Sequence, residues 1–267
     1  MADPTDVTTG RVRPEEELRR IVGADPARTA LFFDFDGTLA PIVPDPASAR
    51  AVDGAVELLE RLNQRFARIA VVSGRPRAFL VQHVGPTVDL SGVYGLETRI
   101  RGVEHDHREA ERWRDVIASV AAVGASSDES GLPPGVRVEP KGLSLTLHYR
   151  EVPETEDEVV AWAEQVSRST GLEVRPAKRS VELHPPISVD KGTSVLELSA
   201  GCTTVAYLGD DIGDLPAFAA LDVLAERGVT TCKVAIASED LPEEIAEDAD
   251  LVLDGPHAVL EALAPLA

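Results

Sequence analysis

An apolar run beginning at Ala30 breaks into Asp34-Phe35-Asp36-Gly37-Thr38, and this one segment narrows the possible folds more than any other. Continuous apolar residues suit a strand covered on both faces, as in parallel sheets flanked by helices. Carboxylates at the end of such a strand stand where an open α/β sheet places its chemistry. A second apolar run, Ile69 to Val72, ends in Ser73-Gly74-Arg75-Pro76, and between the two runs Val56, Leu59 and Leu62 recur at helical spacing within Val52 to Phe66. The three pieces form a β-α-β unit.

Toward the other end, Lys191 to Leu198 reads as a helix and Thr204 to Leu208 as a strand ending in Gly209-Asp210-Asp211. Val234 to Ile236 and Leu251 to Leu253 read as further short strands. The middle differs in texture: Val136 to Val138 and Leu143 to Tyr149 alternate like half-exposed strands, Glu156 to Ser169 is helical, and Leu172 to Val174 and Ser180 to Leu183 alternate again. The predicted fold is therefore α/β, a doubly wound, Rossmann-like parallel-sheet core over residues 1–101 and 187–267 with an α+β domain inserted over 102–186. Residues through Gly10 read as a loose terminus, and Pro14-Glu15-Glu16-Glu17 followed by Leu18, Ile21 and Val22 reads as a short packing helix.

Composition excludes several classes of partner. The 267 residues carry a formal net charge of -20, against the clustered Lys and Arg that a nucleic-acid binder needs to release counterions. No apolar run approaches the roughly 18 to 20 residues that cross a bilayer, and Met1 to Gly10 lacks the pattern of a secretion signal, so a cytoplasmic protein with no membrane partner is expected. Cys202 and Cys232 are expected as free thiols and the chain as a monomer. The acidity does not preclude an anionic substrate, because at physiological salt charges are screened beyond about 8 Å and the local set decides.

Asp34 and Asp36 lie two apart at a strand end, where a turn at Gly37 bends both carboxylates toward one small volume. One can attack an electrophile such as phosphorus while the other moves a proton, although Asp-x-Asp-Gly alone is also what an ordinary turn contains. Ser73, Arg75 and Lys191 offer a hydroxyl and two cations, and the chain has only four lysines, Lys141, Lys178, Lys191 and Lys233. The carboxylates of Gly209-Asp210-Asp211-Ile212-Gly213-Asp214 offer the hard oxygens that suit Mg²⁺.

The string FFDFDGTLAPI resembles the first signature of the haloacid-dehalogenase superfamily, and the later segments resemble its other three signatures in order. The resemblance implies Asp34 as nucleophile, Asp36 as general acid/base, Ser73, Gly74, Arg75 and Lys191 around phosphate, and Mg²⁺ on Asp34, Asp36 and Asp210, with Asp211 and Asp214 as weaker ligands. It narrows further, because DFDGTLAPI, VVSGRP, GVYGLE, KGLSLTLHYR, AKRSVELHPP with VDKG, and LGDDIGDLPAF are similar to trehalose-6-phosphate phosphatases. That family's inserted domain is a cap over the sugar; the likeness implies Lys178 and Glu182 as sugar ligands, with Glu97 and Lys141 as further substrate contacts and Lys141, His148 and Arg150 as a second cap signature. Family members commonly have His at Tyr94, Thr at Gly213, Glu at Leu215 and Arg at His184.

The expected function is Mg²⁺-dependent hydrolysis of trehalose 6-phosphate to trehalose and phosphate through an aspartyl-phosphate. The alternatives are a phosphatase of the same fold for another phosphorylated sugar or pseudo-disaccharide, and an inactive sugar-phosphate-binding regulator. A phospho-accepting receiver module uses a similar strand-end Asp but fits in about half this length and needs no insert.

Overall fold

The computed structural model describes residues 12–126, 131–177, 179–238 and 241–267. Lys178 lies outside the described residues. The strands are β1 (Thr29–Phe33), β2 (Arg68–Val72), β3 (Asp89–Gly92), β4 (Glu97–Ile100), β5 (Val103–Asp106), β6 (Arg137–Pro140), β7 (Leu145–His148), β8 (Glu173–Ala177), β9 (Ser180–His184), β10 (Thr204–Gly209), β11 (Thr230–Ile236) and β12 (Leu251–Leu253). The helices that bear on the site are α1 (Pro14–Val22), α2 (Ala55–Asn63), α3 (Arg77–His83), α4 (Glu111–Gly124), α5 (Glu156–Thr170), α6 (Lys191–Leu198), α7 (Leu215–Glu226), α8 (Glu243–Asp248) and α9 (Gly255–Leu263).

Eight strands form one sheet in the order β12-β11-β10-β1-β2-β3-β4-β5. The first six positions are parallel, with Leu31 opposite Ile69 and Phe33 opposite Leu208, and β4 and β5 continue the sheet antiparallel. All of β1 is buried because its two faces serve different cores. Leu31 and Phe33 pack with Leu18, Leu59, Leu62 and Val259 from α1, α2 and α9, while Ala30 and Phe32 pack with Val195, Phe218 and Leu221 from α6 and α7. This is the doubly covered parallel sheet that unbroken apolar strands demand. The sheet runs on through β5 to Asp106, beyond the edge expected near residue 102.

A second sheet, β6-β7-β9-β8, is antiparallel throughout and lies in the chain between β5 and α6. Its strands alternate. Leu145, Leu147, Val181 and Leu183 pack with Ile117 and Val120 of α4 and Val159 and Ala163 of α5, so Thr146 and Glu182, paired across β7 and β9, point to the opposite face. Val93, Leu96, Ala110, Leu143 and Ile187 form a small separate core where the chain passes between the sheets. Among the described residues no helix is long and apolar enough to cross a membrane.

Candidate active site

The carboxyl ends of β1, β2 and β10 converge on one cavity of about 470 Å³, lined by Asp34, Asp36, Ser73, Gly74, Arg75, Tyr94, Lys141, Asp190, Lys191 and Asp211 among others. Asp34 leaves β1 with its N–H donating to the Leu208 carbonyl at 2.9 Å, so the strand ladder holds it until the loop begins. The loop then turns on Gly37, whose φ of 79° is in the left-handed region. A Cβ at Gly37 would lie 2.0 Å from an Asp210 oxygen, so the glycine meets two demands, the turn and the approach of the Asp210 carboxylate.

Lys191 is delivered by a cap. Asp190 accepts the Thr193 N–H at 2.7 Å while the Thr193 hydroxyl accepts the Asp190 N–H at 2.9 Å, a reciprocal box that starts α6 and fixes Lys191 as its first residue. The buried ammonium lies 3.0 Å from Asp34 Oδ1 and 2.6 Å from Asp214 Oδ1. Burial by itself lowers the Lys191 pKa; the Asp214 and Asp34 carboxylates outweigh it and keep the group charged.

Asp214 has no exposed surface and is saturated with donors. Its Oδ1 accepts from Lys191 Nζ and from the Tyr207 hydroxyl, both at 2.6 Å, and its Oδ2 accepts the backbone N–H of Asp210 at 3.0 Å and of Asp211 at 3.2 Å. Asp214 is thus a strut that ties Lys191 to the acidic loop. The sequence alone places it in a possible metal shell and leaves Tyr207 without a role; the signal for Tyr207 is a phenol inside a buried apolar strand, because its hydroxyl needs a partner.

Asp34, Asp210 and Asp214 each bring a carboxylate oxygen to within 4.8 Å of the others. Burial first, then the neighbouring carboxylates, push Asp34 well above the usual range against the pull of Lys191, and burial with the Asp34 and Asp214 charges takes Asp210 to about 9. Asp210 Oδ1 is buried without a hydrogen-bond partner. One ammonium among these carboxylates leaves a deficit of positive charge and an unpaired hard oxygen, and such a donor set fits a divalent cation such as Mg²⁺.

Arg75, which the sequence assigns either to phosphate or to orienting its loop, is bound to Asp36 in this structure. Its Nε and NH2 donate to the two Asp36 oxygens at 2.7 Å each, and its guanidinium lies 4.5 Å from the Phe79 ring centre. It also reaches Glu139 of β6 at 3.9 Å, and Glu139 pairs with His148 Nε2 at 2.6 Å. Ser73 is buried on the cavity wall, its hydroxyl accepting the Arg75 N–H at 3.2 Å.

The residues expected to contact the sugar separate. Lys141 lines the cavity; Glu182 and Glu97 do not. Glu97 instead accepts the Arg77 N–H at 2.9 Å, at the start of α3. Arg150 is exposed and outside the lining. Arg175, Pro176 and Ala177 of β8, with Ile212, Gly213, Pro216 and Pro242, complete a wall that the sequence pattern does not announce.

A haloacid dehalogenase-like hydrolase from Bacteroides thetaiotaomicron is similar in fold, with a TM-score of 0.58 at 15% identity over 90% of this chain and all of that one. The sheet, parallel over six of its eight strands, is thus that of a haloacid-dehalogenase-like hydrolase fold. The chain belongs to the trehalose-phosphatase family, whose model matches residues 32–255. It is 40% identical over 202 residues to the trehalose-phosphate phosphatase of Mycobacterium avium, covering 72% of this chain and 51% of that protein. It therefore spans about half the length of the curated relatives it matches. The C-terminal domain of Candida albicans trehalose-6-phosphate phosphatase is similar in fold, with a TM-score of 0.76 at 24% identity over 94% of this chain and 96% of that one.

Proposed function

We propose that this chain hydrolyses trehalose 6-phosphate to trehalose and inorganic phosphate, with Asp34 as the nucleophile. The observation that carries the reading is the buried Asp34 carboxylate facing the Lys191 ammonium at 3.0 Å on the wall of the cavity, in a member of the trehalose-phosphatase family.

An Asp34 oxygen attacks phosphorus in line; the bond from phosphorus to the sugar oxygen breaks, and that oxygen takes a proton from Asp36. Water then gives a proton to Asp36 and attacks the same phosphorus, releasing phosphate and restoring Asp34. Lys191 favours the ionised form of Asp34 against the burial that opposes it, and balances charge on the transferring group. Ser73 and the backbone at Gly74 receive its oxygens. In the structure Arg75 occupies both oxygens of Asp36, so phosphate arriving beside Ser73 competes for the guanidinium and frees Asp36 to carry a proton. Asp34, Asp210 and the main-chain oxygen of Asp36 would hold Mg²⁺, which would supply positive charge against the transferring group; Asp211 also lines the cavity.

We further divide the chain into a core over residues 1–101 and 187–267 and a cap over 102–186 that closes on the sugar, where Lys141, Lys178 and Glu182 serve the sugar side and Glu97 lies near the linker. The β4–β5 pairing keeps the first linker attached to the larger sheet as far as Asp106. The test is phosphate release from trehalose 6-phosphate, glucose 6-phosphate, sucrose 6-phosphate and an aryl phosphate, with Mg²⁺ and with chelator. Preference for trehalose 6-phosphate that vanishes with chelator and in Asp34→Asn is expected. Retained turnover in clean Asp34→Asn protein overturns the mechanism, and preference for another sugar phosphate overturns the substrate.

A further inference from the structure

Among the described residues, two cations from the chain between β5 and α6 line the cavity, Lys141 and Arg175. Sequence pattern singles out only the first. Arg175 lies in the middle of β8, next to Val174, which packs into the apolar side of the smaller sheet. Alternation turns Arg175 to the other, polar face. There Arg175 stands opposite Glu182, Glu182 opposite Thr146, and Thr146 opposite Glu139. One rung, Glu139-Thr146-Glu182-Arg175, thus crosses all four strands.

Both ends of the rung reach segments that belong to the larger sheet's side of the cavity. Glu139 lies 3.9 Å from Arg75, and Arg175 NH1 donates to the Val189 carbonyl at 3.5 Å, just before Asp190 and Lys191. Arg175 is the less satisfied of the two guanidiniums. Arg75 places its Nε and NH2 on Asp36 at 2.7 Å each, whereas Arg175 has, among the described residues, only the long contact to Val189 and one of 3.3 Å to Glu173, a carboxylate whose side chain is 52% exposed. A guanidinium carries several N–H donors in a planar fork, so most of its capacity is unspent. Around it the wall is apolar, made of Pro176 and Ala177 from β8 with Ile212, Pro216 and Pro242.

We infer that Arg175 is a specificity-determining residue that binds a pair of adjacent hydroxyls on the sugar. A cavity of about 470 Å³ holds far more than a phosphate group, and its β8 wall is left for the rest of the ester. A pyranose ring offers C–H faces to the apolar residues and neighbouring hydroxyl oxygens, which accept, to the fork. Arg175 joins Lys141, Lys178 and Glu182 on the sugar side and replaces none of them. This inference rests on the proposed phosphatase activity and concerns only how the sugar is held.

The experiment compares kcat/KM for trehalose 6-phosphate and for an aryl phosphate, in the full chain with Mg²⁺, between the parent, Arg175→Met and Arg175→Lys. The ratio of sugar to aryl efficiency is expected to fall roughly tenfold in Arg175→Met, the size of one hydrogen bond with charged character. The loss on the sugar ester is expected mainly in KM, as for a contact already made in the bound ground state. Arg175→Lys keeps the charge without the planar fork and is expected to recover only part of the ratio. Equal losses on both substrates put the guanidinium on the phosphate and overturn the inference. An unchanged ratio, with or without a lower melting temperature, leaves Arg175 as a tether of β8 to Val189 and also overturns it. Full recovery by lysine removes the paired-hydroxyl contact. Preference of the parent for another sugar phosphate is a failure of the substrate reading alone, and the ratio is then taken with that ester. Absence of turnover on every substrate in the parent is a failure of the phosphatase reading; calorimetric binding of trehalose 6-phosphate to the parent and to Arg175→Met then decides the inference on the same tenfold scale.

Discussion

Lys191 is the residue on which the charge balance of the site turns. Among the described residues it is the one ammonium held between Asp34 and Asp214. Replacing it by Met leaves two buried carboxylates without their cation and removes a preorganised donor, so kcat is expected to fall by roughly 10²- to 10³-fold. Steady-state phosphate release measures this, and circular dichroism checks that the variant folds. Gly37→Ala tests geometry rather than charge. With φ at 79° and Asp210 oxygens where the new methyl must go, the variant is expected to lose stability by about 1 to 3 kcal/mol and to lose activity with it. Thermal melts alongside turnover separate it from a surface glycine such as Gly102, where an added methyl would meet nothing within 4 Å and the substitution costs only its backbone conformation. The residues at this scale that are legible in the sequence are those whose chemistry follows directly on a strand: Asp34, Ser73 and Asp210. Tyr94 is visible only as a departure, because its partners, Gly74 and His184, come from separate stretches of chain.

Between elements, one contact that joins the smaller sheet to the larger is Glu139 of β6 reaching Arg75 on the loop after β2. Burial acts to raise the Glu139 pKa, but the hydrogen bond to His148 and the charges of Lys141, His148 and Arg75 prevail and hold it at about 2, below its ordinary 4.5. A depressed carboxyl contributes stability above its unfolded value and loses it as pH falls through the folded one. The contribution is therefore intact above about pH 5 and disappears toward about pH 2, with a size on the order of 2 to 3 kcal/mol. Glu139→Gln is expected to be less stable than the parent near neutrality, and the difference between the two in thermal melts is expected to close across that window. A constant difference from neutral to acid pH contradicts the assignment. Elements of this kind explain what sequence pattern misses. The buried strands β1, β2 and β10 announce themselves by unbroken apolar residues, whereas all four residues of β5 are exposed and carry no alternation. What makes β5 a strand is a two-residue turn, Arg101 and Gly102, both at positive φ between Ile100 and Val103, which returns the chain along β4.

At the scale of the whole molecule, a chain of net charge -20 concentrates, among the described residues, three buried carboxylates at one point of its sheet and sets one lysine against them. The parallel topology forces the convergence: β1 and β10 are neighbours running the same way, so the carboxylates that follow each strand emerge side by side. Sequence order shows that these segments share chemistry; only the pairing of β1 with β10 puts Asp34 and Asp210 within reach of one ion. The unpaired Asp210 oxygen and its pKa near 9 mean that ionising this cluster without a cation opposes folding. A carboxyl whose folded pKa is raised destabilises the protein as pH climbs from its unfolded value near 4 toward about 9, because the unfolded chain has released a proton that the folded one retains. A divalent cation that binds the folded site reverses the penalty. Mg²⁺ at about 100 times its dissociation constant is expected to add about 2.7 kcal/mol, a rise of roughly 5 to 10 °C in melting temperature for a domain of this size. The rise is expected to be larger at about pH 8 than at about pH 5, since protons compete for the same oxygens. Asp210→Asn removes both the penalty and the ligand, so its metal-free form is expected to melt at or above the parent at the higher pH and to gain little from Mg²⁺. Calorimetric scans of both proteins with Mg²⁺ and with chelator decide the matter: an equal Mg²⁺ gain in Asp210→Asn removes this carboxylate from the cation site.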